Sequence, residues 1–313
     1  MILLKPYGTP EPERTLLKGI AEVVCIHPGE PGFAETLRCC EAMMADIEIR
    51  VGESLLSQAV NLRAIVCRTI GVDFVDLEAA KRHGVCVVNS PSYCTEAVAE
   101  HAIALMFALS RRIVMGCDEL RAGRWGVREQ LRCCELVGKR LGILGFGRIG
   151  QRIAEMAHGL GMRVAAYDIS DAAFARNGFD YVCRFTLEEL LAESDVLTVH
   201  MPITPETRGL IGSEQLEVMK SSALLINVAR GGIIDEDAAL KALRSGKLGG
   251  LALDVFEVEP PSAMYLERSK GLNFVCTPHM AWNSVEAKLE NDRVFVKQIR
   301  AMVARKTPEH LVI

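Results

Sequence analysis

The chain has 313 residues, with 36 Lys and Arg against 40 Asp and Glu, and a formal net charge of −4. A balance this mild, with no basic run and no basic patch interleaved with aromatics, argues against a nucleic-acid partner. Hydrophobic residues make up 50% and charged residues 24%, which is the composition of a globular protein with a sizeable core. This length implies two domains or one large one. The longest apolar stretch, 102–109, is too short to span a bilayer, so no membrane partner is expected. The opening MILLKPYG lacks a charged-then-apolar signal pattern, and a cytoplasmic location is the expectation. Eleven cysteines include the adjacent pairs Cys39–Cys40 and Cys133–Cys134 but no C-x-x-C. That spacing fits neither a zinc site nor a disulfide framework. No metal site is expected, and the cysteines read as small buried hydrophobes with a few free thiols.

In chain order, 21–26 reads as a strand and 36–45 as a helix. Segments 47–51, 64–67 and 85–89 read as further strands, with a helix over 74–83 between the last two. Such alternation predicts a parallel sheet with helices on both faces. The loop 68–76, RTIGVDFVD, follows a strand, where α/β ligand sites usually lie. Gly71 would let backbone N–H groups face an anion there; the alternative is a simple strand-to-helix turn. From 95 to 116 the pattern is helical and mostly apolar, suggesting a bridge between domains, a dimer core or a buried core helix.

The stretch 141–168, LGILGFGRIGQRIAEMAHGLGMRVAAYD, reads as strand, tight turn, helix and strand. Gly145, Gly147 and Gly150 have the spacing G-x-G-x-x-G. The first permits the turn, the second lets backbone approach a pyrophosphate, and the third lets the helix pack on the strand. The helix N-terminus then offers N–H groups and partial positive charge to phosphates. Asp168 lies 18 residues beyond Gly150, at the end of the second strand. A carboxylate there accepts hydrogen bonds from ribose hydroxyls and repels a 2′-phosphate, so NAD is favoured over NADP. Strands follow over 195–200, 223–228, 249–253 and 274–277, with helices around 216–219 and over 236–245 and 284–303.

Charged groups follow three of these strands: Arg230, the acidic loop 254–261, and His279. The loops are expected to converge around the nicotinamide end of a cofactor. Together they suit carbonyl reduction by hydride transfer. Arg230 holds a carboxylate and polarises the keto oxygen. His279 gives that oxygen a proton. Glu259, if paired with His279, stabilises positive charge on its ring.

With these runs in view, the chain resembles the D-isomer-specific 2-hydroxyacid dehydrogenases over nearly its whole length. The matching runs are GILGFGRIGQRIA at 142–154, HMPITPETRGLI at 200–211 and MKSSALLINVARGGIIDEDAALKAL at 219–243. GLALDVFEVEPP at 250–261 and TPHMAW at 277–282 complete them. The resemblance implies two Rossmann-like α/β domains with parallel sheets and a cleft between them. One is a flavodoxin-like substrate domain, 1–92 plus 289–313; the other is a dinucleotide-binding domain, 93–288. It implies NADH as cofactor, a homodimer joined through 94–137, and a small 2-keto or 2-hydroxy acid as substrate.

Residue by residue, the resemblance implies Arg230, Glu259 and His279 as the catalytic set. It implies Arg148 and Ile149 at the pyrophosphate, Asp168 at the ribose and Asp254 near the nicotinamide amide. Further cofactor contacts are implied at His200, Thr207, Val228 and Ala229. The substrate carboxylate is expected at the loop Thr69, Ile70, Gly71. The run 90–113 and Trp282 look most like the hydroxypyruvate and glyoxylate reductase branch. Trp282 would pack against a short substrate tail, serve as a hydrophobic plug, or contact a second subunit. Ile70 stands where the family commonly has Ala, Ser or Thr, and Cys94 where that branch often has Ser or Thr. A branched side chain at 70 narrows the site or moves its loop. The rival reading is an NAD(H)-sensing protein of corepressor type on the same fold. A lower-ranked one is a dehydrogenase of formate or phosphite.

Overall fold

A computed structural model of the chain describes residues 1–313. Two compact units are present, Met1–Cys94 with Ser284–Ile313, and Thr95–Asn283.

The first unit holds five parallel strands, β1 (Ile2–Lys5), β2 (Glu22–Cys25), β3 (Ala42–Ala45), β4 (Ala64–Cys67) and β5 (Cys86–Val88). Their order is β2-β1-β3-β4-β5, the flavodoxin-like winding. Alternate residues feed opposite cores, as the period of two requires. Leu4, Met43 and Ile65 pack with Leu37, Leu56 and Ala79 on one face. Leu3, Met44 and Val66 pack on the other with Phe295 and Ile299 of the helix Val285–Val303. Burial on both faces explains why β3 and β4 are short continuous apolar runs.

Three expectations fail in the N-terminal half. The helix expected over 36–45 is a helix Phe33–Cys39 followed by β3. Ala-Met-Met-Ala carries no β-branched residue and favours helix locally, but pairing with β1 and β4 overrides that preference. Residues 47–51 are a loop rather than a strand, because 42–45 already fill that place in the sheet. Asp46 turns the chain there by accepting the Glu48 N–H at 2.8 Å, and Val51 makes a single bridge to Val75. The helix expected over 95–116 is two, Thr95–Ser110 and Ile113–Arg121, broken at Arg112 with φ of 49°. The N-terminal strand β1 was not foreseen. Among the cysteines, Cys40, Cys67 and Cys94 are buried, but Cys39, Cys117, Cys133, Cys134, Cys183 and Cys276 are exposed, more than the sequence reading expected.

The second unit has seven parallel strands: β6 (Arg140–Leu144), β7 (Arg163–Tyr167), β8 (Val182–Arg184), β9 (Val196–Val199), β10 (Leu224–Asn227), β11 (Gly250–Leu253) and β12 (Phe274–Cys276). Their order is β12-β11-β10-β9-β6-β7-β8. The chain winds outward from β6 to β8, then returns to the other side of β6 at β9. That reversal is the switch point where α/β sheets bind ligands, at the carboxyl ends of the strands. No helix of the chain is long and apolar enough to cross a membrane.

Candidate active site

The glycine turn sits at the carboxyl end of β6, beside the switch point. Gly145 has φ of 98°, and a Cβ there would lie 2.7 Å from the His200 carbonyl carbon. A Cβ on Gly150 would lie 2.2 Å from the Gly145 carbonyl oxygen, so only glycine lets the helix Arg148–Gly159 start this close to its strand. At Gly147 a Cβ would meet nothing within 4 Å. The bare backbone of Gly147 therefore faces open space, and no side chain caps the helix that Arg148 and Ile149 begin. Uncapped N–H groups at a helix start beside an open face suit a pyrophosphate. Asp168 directly follows the neighbouring strand β7, and its carboxylate accepts the Phe146 N–H at 2.8 Å and the Ser170 N–H at 2.9 Å. The acid is thereby anchored beside the turn. These residues fit a dinucleotide.

His200 follows β9, its ring nitrogen Nε2 2.7 Å from Thr198 Oγ1. Although part of its surface stays open, the surrounding protein desolvates the ring, and burial pushes its pKa down to about 3. The imidazole is therefore neutral. Thr207 closes a local turn, its hydroxyl donating to the Pro202 carbonyl at 2.8 Å. Val228, buried, and Ala229, half-buried, lead from β10 to Arg230.

Arg230, Glu259 and His279 reach one end of the sheet through three loops. After β10, Asn227 folds the chain back, donating to the Arg230 carbonyl at 2.8 Å and accepting the Ala229 N–H at 3.0 Å. A Cβ on Gly231 would lie 1.9 Å from the Phe256 carbonyl oxygen, so glycine lets this loop press on the loop after β11. Glu259 uses both carboxylate oxygens: Oε1 accepts the Phe256 N–H at 3.0 Å, and Oε2 lies 2.8 Å from His279 Nδ1. Burial works against its charge, but the bonds from His279 and Phe256 and the nearby Arg230 charge outweigh it. The Glu259 pKa lies below the usual carboxylate value. With Nδ1 engaged, Nε2 is the ring nitrogen left to meet a substrate.

His279 itself is held in the left-handed region, φ 50°, which is uncommon for a residue with a side chain. Its N–H donates to the Asp254 carbonyl at 2.8 Å, and its own carbonyl accepts the Trp282 indole N–H at 2.9 Å. The carboxylate of Asp254, fully buried, turns into this loop and accepts N–H groups of Met280 and Ala281, both at 2.9 Å. Sequence reasoning found the acid and the histidine. It missed Thr277 and His101, whose side chains meet at 3.0 Å across 176 residues of chain. No local pattern marks such a pair.

The loop Thr69–Gly71 belongs to the first unit, after β4. Four successive carbonyls of 68–71 are taken by chain donors: Asn291 Nδ2, the Ser90 N–H, Asn89 Nδ2 and the Thr69 hydroxyl. The N–H groups of Thr69, Ile70 and Gly71 have no acceptor within the chain. Arg68, beside them, is fixed by Glu13 at 2.9 Å and by Asp292.

The model of the D-isomer specific 2-hydroxyacid dehydrogenase NAD-binding domain matches residues 103–281. The chain belongs to this family. It is 40% identical over 286 residues to the glycerate dehydrogenase of Methylorubrum extorquens, covering 90% of this chain and 88% of that one. It is 39% identical over 294 residues to the glyoxylate reductase of Aeropyrum pernix, covering 90% and 87%. The D-3-phosphoglycerate dehydrogenase of Archaeoglobus fulgidus is 40% identical over 265 residues, but the match spans only 49% of that longer chain. Among solved structures, the D-lactate dehydrogenase of Aquifex aeolicus, complexed with NAD and lactic acid, superposes with a TM-score of 0.87 at 29% identity, covering 97% and 96%. The enzyme is accordingly an NAD-dependent oxidoreductase of the 2-keto and 2-hydroxy acid class.

Proposed function

We propose that the enzyme reduces a short 2-keto acid of the glyoxylate or hydroxypyruvate kind to the D-2-hydroxy acid, with His279 as acid, Glu259 as its partner and Arg230 as substrate anchor. The observation that carries this reading is the 2.8 Å pair between His279 Nδ1 and Glu259, with the Arg230 charge beside it. Bound NADH supplies the hydride. The chain's own residues do the rest. Arg230 holds the substrate and draws electron density toward its carbonyl oxygen. Nε2 of His279 gives that oxygen a proton as the carbon is reduced. The Glu259 carboxylate, its pKa lowered, stays ionised and steadies the positive ring before transfer. In the reverse direction neutral Nε2 takes the hydroxyl proton. We assign the N–H groups of Thr69, Ile70 and Gly71 to the substrate carboxylate, since every carbonyl of that loop is already occupied. On the cofactor side, Gly147, Arg148 and Ile149 hold the pyrophosphate and Asp168 the ribose. His200, Thr207, Val228 and Ala229 lie along the same edge of the sheet. The branch reading draws support from the glycerate dehydrogenase and glyoxylate reductase relatives.

The test follows NADH oxidation against glyoxylate, hydroxypyruvate, pyruvate, 2-ketogluconate and branched 2-keto acids, with NADPH in parallel. Turnover is expected with glyoxylate or hydroxypyruvate. His279→Ala should lower kcat by about 10²–10⁴ while NADH still binds. Normal turnover in that variant would remove His279 from its role. Silence of the native enzyme across the panel, with NADH bound, would move the reading to the sensor class.

A further inference from the structure

Asp254 is fully buried, and the donors to its carboxylate all come from one short loop. They are the Thr277 hydroxyl at 2.5 Å and the N–H groups of Met280 and Ala281. Its carbonyl accepts the N–H of His279 as well. This one residue thus ties down the loop 277–281, including the left-handed backbone of His279. A left-handed conformation is strained for a side-chain-bearing residue and persists only where its surroundings over-determine it.

The direction of the next bond follows from proton counting. Thr277 has one hydroxyl proton, and it goes to Asp254. The Thr277 oxygen therefore accepts from His101, whose Nε2 lies 3.0 Å away and must carry the hydrogen. Nε2 of His101 is also 3.7 Å from Asp254 Oδ1. Donation runs from His101 to Thr277 to Asp254, and Asp254 holds the His279 loop. His101 sits on the helix Thr95–Ser110, whose Glu96 also takes a bidentate pair from Arg152 on the helix behind the glycine turn. One helix is therefore bonded both to the acid–base loop and to the helix that the glycine turn begins.

We propose that His101 is a positioning residue for the acid–base loop, acting through Thr277 and Asp254. The inference rests on the reading of His279 as the proton donor. It makes the bonds in series, so that losing any one of them loosens the same loop. The expected signature is a loss in kcat with cofactor binding intact, because the helix start at Arg148 is untouched.

His101→Leu fills the same space without a donor and should lower kcat about tenfold, leaving NADH affinity within about twofold. His101→Gln, whose amide nitrogen reaches where Nε2 lies, should restore most of the rate. Thr277→Val should match His101→Leu, Thr277→Ser should stay near the native rate, and the double variant His101→Leu/Thr277→Val should be no slower than either single one. Native kcat in His101→Leu, failure of His101→Gln to rescue, or multiplied losses in the double variant would each overturn the proposal. If His101→Leu does not fold, the Thr277→Val and Thr277→Ser pair decides: equal rates overturn it. His279→Ala runs alongside. An inactive His279→Ala with an unaffected His101→Leu refutes the positioning role alone, whereas an active His279→Ala refutes the reading beneath it.

Discussion

Gly231→Ala is the most direct perturbation of the Arg230, Glu259 and His279 cluster that leaves its side chains in place. A Cβ at 231 would lie 1.9 Å from the Phe256 carbonyl oxygen, 2.0 Å from its carbon and 2.4 Å from the Glu257 nitrogen. All three are backbone atoms, so no side chain can swing aside. Reaching ordinary contact requires the two loops to part by about 1.5 Å. One loop carries Arg230; the other carries the Phe256 N–H that orients Glu259. Overpacking of this kind costs about 1–3 kcal/mol of stability. A displacement near 1 Å at a reacting group costs about 10²-fold in rate. The variant should therefore keep NADH binding, since the glycine turn lies after β6, while kcat/KM for the keto acid falls about 100-fold. Steady-state kinetics, NADH fluorescence titration and urea unfolding measure the three quantities. Gly159→Ala is the control: its Cβ would meet nothing within 4 Å, and its stability should be unchanged or slightly raised. Native kcat/KM in Gly231→Ala would refute the claim that this close approach sets the Arg230–Glu259 geometry.

His200 predicts a pH dependence of stability. Its folded pKa is lowered to about 3 from an ordinary 6.5, so between those values the unfolded chain binds a proton that the folded chain does not. Stability falls as pH drops through that window, by up to about 1.4 kcal/mol per pH unit; His200→Gln should flatten the urea-midpoint curve there, and parallel curves would contradict the burial argument. Trp282→Phe keeps an aromatic ring but removes the indole bond to the His279 carbonyl. A loss of about 1 kcal/mol there, roughly fivefold in kcat/KM, should be the same for short and long keto acids. A loss that grows with substrate length would instead make Trp282 a substrate contact. Asp168→Asn should raise the NADPH to NADH ratio of kcat/KM by about tenfold or more, and an unchanged ratio would remove Asp168 from the ribose site.

Apart from the break at Arg112 and the strand β8, the second unit was legible because its signals are local. The turn from Gly145 to Gly150 carries its geometry in three glycines: one at positive φ, one facing open space, one under a carbonyl. Arg230, Glu259 and His279 were legible because each follows a strand of a parallel sheet, and parallel winding sends every such loop to the same edge. The first unit was less legible. Segment 42–45 is a strand for a reason outside itself, namely the two strands that flank it.

What the sequence determined, then, was the periodicities, the glycine spacing and which charged side chains follow the strands, all of which depend on near neighbours. Tertiary structure alone decided which donors reach which acceptors over long separations. The 2.8 Å pairing of His279 with Glu259, the pressure of Gly231 on Phe256, and the bonding of His101 to Thr277 each join segments from different loops or helices. A hydrogen bond is fixed to within tenths of an ångström by packing around it, and no spacing along the chain encodes that distance.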